Sequence, residues 1–204
     1  MAITYPLDLP TDIGIASIKL SATNAVALTS SPFSYKQQVH AHSGQMWKAS
    51  VSIPPVLRPL AEPWVAFLLS LKGRLGTFRL GDPNCKEPRG AAKDSSFTLS
   101  IGSTATSGSN TLTLQGVPTF TNYFLAGDYI QVDNQLFKVL TDASSSGGSI
   151  TVDVWPNVRS QISSGTTVAY RNTTGLFRLE NNVSEWDIDN SSFYGINFDA
   201  VEVV

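Results

Sequence analysis

Only one stretch of this 204-residue chain places apolar residues at helical spacing, and that limits the folds open to it. Trp64, Phe67, Leu68 and Leu71 fall at i, i+3, i+4 and i+7, one stripe of a 3.6-residue period. Glu62 and Pro63 suit a first turn and Gly73 suits the position just past the end, so a helix over about 61–72 is expected. Almost everything else alternates or forms short β-branched runs between Gly, Ser, Asn and Pro clusters. The spacing predicts a mainly β protein.

Before the helix, Ile13–Ile15, Ser17–Leu20 and Ala25–Leu28 read as strands, and Ser30-Ser-Pro32 breaks the chain. Met46–Ile53 alternates, with Trp47, Ala49, Val51 and Ile53 on one face. Ser43-Gly44 is expected to turn before it and Pro54-Pro55 to end it. After the helix, Thr77–Leu80 is a strand closed by Gly81-Asp-Pro83. Residues 85–94 read as a linker.

Six strands are then expected in under 80 residues: Phe97–Ile101, Thr111–Leu114, Tyr129–Val132, Leu136–Leu140, Ile150–Val154 and Thr167–Tyr170. Asp133-Asn134 suits a tight hairpin. Short strands at this density, without a helix, indicate a small OB-like or SH3-like barrel over 95–172. On its far side Leu176-Phe-Arg-Leu179 repeats Thr77-Phe-Arg-Leu80. The repeat suggests two strands of one sheet. The expected architecture is a β-sandwich-like domain with one α-helix (1–84 and 173–204), interrupted by the barrel. A closed barrel has no edge for another sheet to cover, so its excision is expected to leave the outer domain folded.

Acidic residues exceed basic ones by two, which gives no global attraction to nucleic acid or an anionic membrane. The barrel carries three basic residues against four acidic, the wrong balance for a strand-binding groove. No apolar run is long enough to cross a membrane, and Met1–Pro6 has no signal-peptide pattern. Synthesis in a cytoplasm is therefore expected. The single Cys85 forms no intrachain disulfide.

No catalytic set stands out, and neither an enzyme nor a cofactor is expected. His40 and His42 share a face if extended, but no spacing supplies a third metal ligand. Lys72-Gly-Arg-Leu-Gly76 lacks the glycine spacing of a phosphate loop and reads as a helix end with a turn. Asp187 and Asp189 share a strand face without a visible cleft. Trp155, at a strand end before Pro156, is the aromatic residue placed to meet a ligand or partner. Residues 58–93 hold seven basic side chains against three acidic, and 173–204 hold one against six. Such segments either neutralise each other within one domain or meet between subunits. In the second case Lys72, Arg74, Arg79, Glu185 and Asp187 are interface candidates.

The phrases Ser31-Pro-Phe-Ser-Tyr-Lys-Gln-Gln-Val39, Ile53-Pro-Pro55, Ala61-Glu-Pro-Trp64, Phe67–Arg74, Gly76–Pro83, Ala126–Ile130, Glu185–Ile188 and Tyr194–Phe198 resemble a tail-protein family of long-tailed phages and prophages. With the barrel-interrupted architecture, the chain looks most like the distal tail protein of siphophage baseplates. That resemblance implies a virion protein forming a homohexameric ring between the tail tube protein and the tail hub or tape-measure protein. Other tail-tip or tube-end roles, such as a terminator or minor tail protein, and a carbohydrate-binding module remain alternatives.

Overall fold

A computed structural model of the chain describes residues 3–204. A long hairpin of β1 (Ser17–Ser30) and β2 (Gln37–Leu57) leads into α1 (Arg58–Ser70) and β3 (Phe78–Leu80). Then come β4 (Leu99–Ile101), β5 (Thr111–Gln115), β6 (Phe120–Phe124), β7 (Tyr129–Val132), β8 (Gln135–Val139), β9 (Ala143–Ser145), β10 (Ser149–Trp155) and β11 (Thr167–Ala169). The order ends with β12 (Gly175–Leu179), β13 (Trp186–Ile188) and β14 (Phe193–Glu202). The protein is mainly β. An open sheet runs β1-β2-β14-β12-β3 with β13 on β14, a closed barrel runs β10-β5-β4-β11-β7-β8, and β6 pairs β9 in a small ribbon.

The repeated Phe-Arg-Leu phrases are antiparallel neighbours: Phe78 faces Phe177 and Leu80 faces Gly175. The chain thus leaves the open sheet at Leu80 and re-enters it opposite the same residue, with every barrel strand in between. Barrel strands turn alternate residues inwards, among them Leu112, Leu114, Ile130, Val132, Phe137, Val139, Val152 and Val154. Asp133 takes a positive φ of 53° in the two-residue β7–β8 turn, as a right-twisted hairpin requires.

Helix α1 begins at Arg58, three residues before the expected start, because Pro59 fits the first turn. Its missing N–H would have no intrahelical acceptor there. Trp64, Phe67, Leu68 and Leu71 are all buried against the sheet. Phe67 meets Phe78 edge-on at 5.5 Å, and Trp64 lies 6.3 Å from Phe198. After the helix, Gly73 has φ +65°, and a Cβ there would sit 2.9 Å from the Asn182 backbone.

Two punctuation marks in the sequence do not end β2. It runs through Ser43-Gly44 and through Pro54-Pro55. The prolines need no donor because β1 no longer pairs there, and β14 is irregular opposite them: Ile53 faces Ile196 and Val56 faces Tyr194. Ile13–Ile15 is not a strand. Residues 85–94 lie against the barrel. Gly90 approaches the Tyr123 carbonyl so closely that a Cβ would come within 2.4 Å, and Arg89 donates through its backbone N–H and side chain to buried Asp128.

The barrel is not isolated from the sheet. Tyr129 and Leu136 alternate with inward-facing Ile130 and Phe137, point out of the barrel, and join the sheet's core. Trp47 donates through its indole N–H to the Leu136 carbonyl at 3.1 Å.

Candidate functional site at the hairpin arm and its root

β2 loses β14 as a neighbour before Trp47, so from there the β1–β2 hairpin continues alone. The register breaks at its root: Asn24 faces Gln45 but Val26 faces Ala41, one residue on β1 spanning three on β2. Beyond the break both strands are exposed on both faces. Directly opposed residues share a face. Val26–Ala41 and Leu28–Val39 make one face apolar, while Ala27–His40 and Thr29–Gln38 make the other mixed and polar. The His40 and His42 rings meet edge-to-face at 4.6 Å. The tip is closed by Ser31 N–H on the Lys36 carbonyl and Tyr35 N–H on the Ser31 carbonyl, each 2.9 Å. There Phe33 is 96% exposed and Tyr35 82%.

The root is pinned to the barrel. Arg159, in the β10–β11 connection, grips Glu202 of β14 with both terminal nitrogens, and Glu202 is buried. The second Glu202 oxygen also accepts the Trp47 backbone N–H at 2.8 Å, and Arg159 reaches the Gln45 carbonyl at 3.1 Å. A bidentate, charge-assisted pair of this kind fixes geometry as well as charge. Trp155 belongs to the same seam. Its indole N–H donates to Asn24 Oδ1 at 2.8 Å and its ring meets Trp47 at 4.5 Å. Asn157 N–H donates to Gln45 Oε1 at 2.6 Å. Trp155 thus makes its hydrogen bond inside the chain.

The charged candidates lie in β3, in β13 and in the segments that lead into them. Arg74 donates through Nε to the Glu180 carbonyl at 2.6 Å and through its backbone N–H to Asn182 Oδ1. Arg79 pairs with Asp8 at 3.2 Å, and Lys48 with Glu180 at 2.7 Å. β3 and β12 are adjacent, but among the described residues no ion pair joins the basic 58–93 stretch to the acidic 173–204 stretch. Lys72, Glu185 and Asp187 are exposed, and Asp187 lies opposite Gly195 on β13.

Between sheet and barrel lies a cleft of about 640 Å³ lined by Leu20, Trp47, Asp82, Tyr129, Lys138 and Trp155. Burial pushes the Tyr129 phenol up, partly offset by Lys138, whose Nζ donates to it at 3.0 Å. Burial, then a hydrogen bond with Asp82, pushes the Cys85 thiol up, away from the reactive thiolate. Among the described residues no three His, Cys, Asp or Glu side chains are placed to hold a metal ion. No described helix is long and apolar enough to cross a membrane.

Neither the arm nor the Arg159–Glu202 pair is expected from the sequence. For the arm a signal existed: Val26, Leu28 and Val39 alternate around a proline turn flanked by no other apolar run. For the ion pair none did, since 43 residues and no spacing rule separate its members. No protein-family model matches the chain, and no curated protein matches it.

Proposed function

We propose that this protein is a structural component of a siphophage tail tip, a ring-forming distal tail protein that joins the tail tube to the central hub or adsorption apparatus. The observation that carries this reading is the place of the barrel. It is inserted between the paired strands β3 and β12, while most phrases that carry the tail-protein resemblance lie on the sheet and α1. The reading is further supported by the hairpin arm, whose apolar face and tip the chain itself leaves uncovered. On this reading the molecule works by assembly rather than by turnover. Its partners are copies of itself, the tube protein and the hub or tape-measure protein, and its location is the virion.

The test is the state of the purified chain. Native mass spectrometry and light scattering are expected to give six copies, and negative-stain images a ring with a wide central hole. A monomer at the highest attainable concentration, in the presence and absence of salt, sinks the reading.

A further inference from the structure

We propose that the pocket at the neck between sheet and barrel binds a phosphate monoester or pyrophosphate, held by Lys86, Lys93 and Arg171. The assembly proposed above does not depend on it.

The chain crosses between sheet and barrel twice, outwards over residues 81–98 and back over 170–174. The two crossings are laced together. Asn172 donates its backbone N–H to the Lys86 carbonyl at 2.7 Å, and Arg171 Nη2 donates to the carbonyls of Ala92, Lys93 and Ser95. Between the crossings opens a pocket of about 660 Å³. Lys86, Arg89 and Lys93 line it from the outward crossing and Arg171 from the return, against one carboxylate, Glu87.

These cations differ in how far the chain already uses them. Arg89 is committed: its Nε pairs with buried Asp128 at 3.3 Å, and its Nη2 donates to the Ala126 carbonyl. Lys86 and Lys93 are exposed and form no ion pair among the described residues. Setting Arg89 against Asp128 leaves three cations and one carboxylate around the pocket, an excess of two positive charges.

Arg171 is half used. All of its hydrogen bonds leave from Nη2, so the main chain fixes the guanidinium while Nη1 donates to no described residue. Its Nε–H is buried and has no acceptor either. Buried donors are nearly always paired, so an orphaned one calls for an acceptor that the chain does not provide. A guanidinium held in place with free donors is preorganised for an oxyanion, and loses little freedom on binding one.

Charge selects among oxyanions. A phosphate monoester carries roughly 1.5 to 2 negative charges at neutral pH and three strong acceptor oxygens. It matches the excess positive charge and can meet donors arriving from both crossings. A carboxylate brings a single charge in one plane and leaves part of the excess unmatched. The pocket also has room for the group that the phosphate esterifies. That group is a soluble alcohol or a lipid; the recognition chemistry is the same for both.

Isothermal titration calorimetry of the full chain, in phosphate-free buffer, tests the site with pyrophosphate and with glycerol 3-phosphate. Co-sedimentation with phosphatidylcholine vesicles carrying phosphatidic acid tests the lipid source. The wild type is expected to bind pyrophosphate, and Lys86→Glu/Lys93→Glu to bind it at least about 10-fold more weakly, the scale of a lost charge-assisted hydrogen bond. Lys19→Glu/Lys36→Glu changes the net charge equally at exposed positions outside the pocket, and is expected to stay within about 2-fold of wild type. In NMR spectra of the wild type, the Arg171 Nε–H signal is expected to move on titration, a readout that needs no variant to fold. Vesicle binding that pyrophosphate displaces assigns the site to a lipid headgroup. Glycerol 3-phosphate binding without vesicle binding assigns it to a soluble ester, and either result supports the site. No binding of any probe, equal weakening in the two double variants, or an Arg171 signal that stays put while others move overturns the proposal. A single-stranded oligonucleotide that binds where pyrophosphate does not overturns it in favour of an extended nucleic-acid contact. None of these outcomes bears on the oligomeric state, so the ring reading stands or falls separately.

Discussion

In the barrel every strand is paired on both edges, and Leu112, Ile130, Phe137 and Val152 face one another inside it. In the arm the strands pair only with each other, and Val26, Leu28 and Val39 face water. Both regions are antiparallel and alternate apolar with other residues along their strands. Closure is what separates them. A closed sheet uses its apolar face within one chain and leaves no edge to template further pairing, whereas an open ribbon keeps its edges and apolar face available to another molecule. The open sheet lies between these extremes: α1 and the barrel flank cover its inner face.

Taking the closed region away should perturb the molecule most. Replacing residues 95–172 by a Gly/Ser linker removes Tyr129 and Leu136 from the sheet core, each worth about 1.5–3 kcal/mol of burial. It also leaves the Glu202 carboxylate without Arg159. The shortened chain is expected to unfold cooperatively but at a clearly lower temperature, with Glu202→Gln restoring part of the loss. Non-cooperative melting would mean that the sheet does not hold a core of its own and folds only together with the barrel.

Two phenylalanines test the comparison directly. Phe137→Ala, inside the barrel, is expected to cost about 3–5 kcal/mol in urea unfolding. Phe33→Ala, at the arm tip, is expected to stay within about 0.5 kcal/mol for the monomer. Similar losses at the two sites would mean that the arm is packed in solution on its own chain.

At the seam, Arg159→Met is expected to cost about 3 kcal/mol, because it leaves a buried carboxylate without its counter-charge. Adding Glu202→Gln should recover much of that loss, since the amide oxygen can still accept from the Trp47 backbone N–H. No recovery in the double variant would show that Arg159 matters through packing alone.

The charge reversal Arg74→Glu/Arg79→Glu is expected to cost no more than about 1 kcal/mol in stability, as for exposed pairs. Its effect on assembly separates two uses of these residues. Arg74 and Arg79 already meet the Glu180 carbonyl and Asp8 within the chain. If assembly weakens, most strongly at low salt where screening is least, they also face a neighbouring copy.

The smallest effect is a pH dependence. The buried Tyr129 phenol is raised from its ordinary value, so the unfolded chain loses that proton first as pH rises. The stability that this group contributes is complete below pH of about 10 and is lost as pH climbs through the folded-state value. Tyr129→Phe should flatten the alkaline limb of stability measured against pH. An unchanged limb would place the relevant phenol elsewhere, Tyr123 being the other one raised by burial.

Local periodicity encodes much of this fold. Alternation set the inward faces of β2 and of the barrel strands, the i, i+3, i+4, i+7 stripe set the buried face of α1, and Asp133-Asn134 set a hairpin. Even the return of the chain to its sheet was written as a repeated Phe-Arg-Leu phrase. Boundaries were less legible, because a proline ends a strand only where a neighbour needs its N–H, and a glycine only weakens one. β1 no longer pairs beside Pro54-Pro55, and Gly44 falls within the register break against β1, so β2 runs on. Which surfaces are covered depends on how the elements pack. Val26 and Val51 both sit in alternating strand sequence, yet one is bare and the other buried, because Val51 lies in the core that the sheet shares with α1 and the barrel flank, and the arm extends beyond it. The same holds for Arg159 and Glu202. Their pairing depends on where a barrel connection and the end of β14 meet, and burial and long-range charge pairing are properties of neighbours that local sequence does not specify.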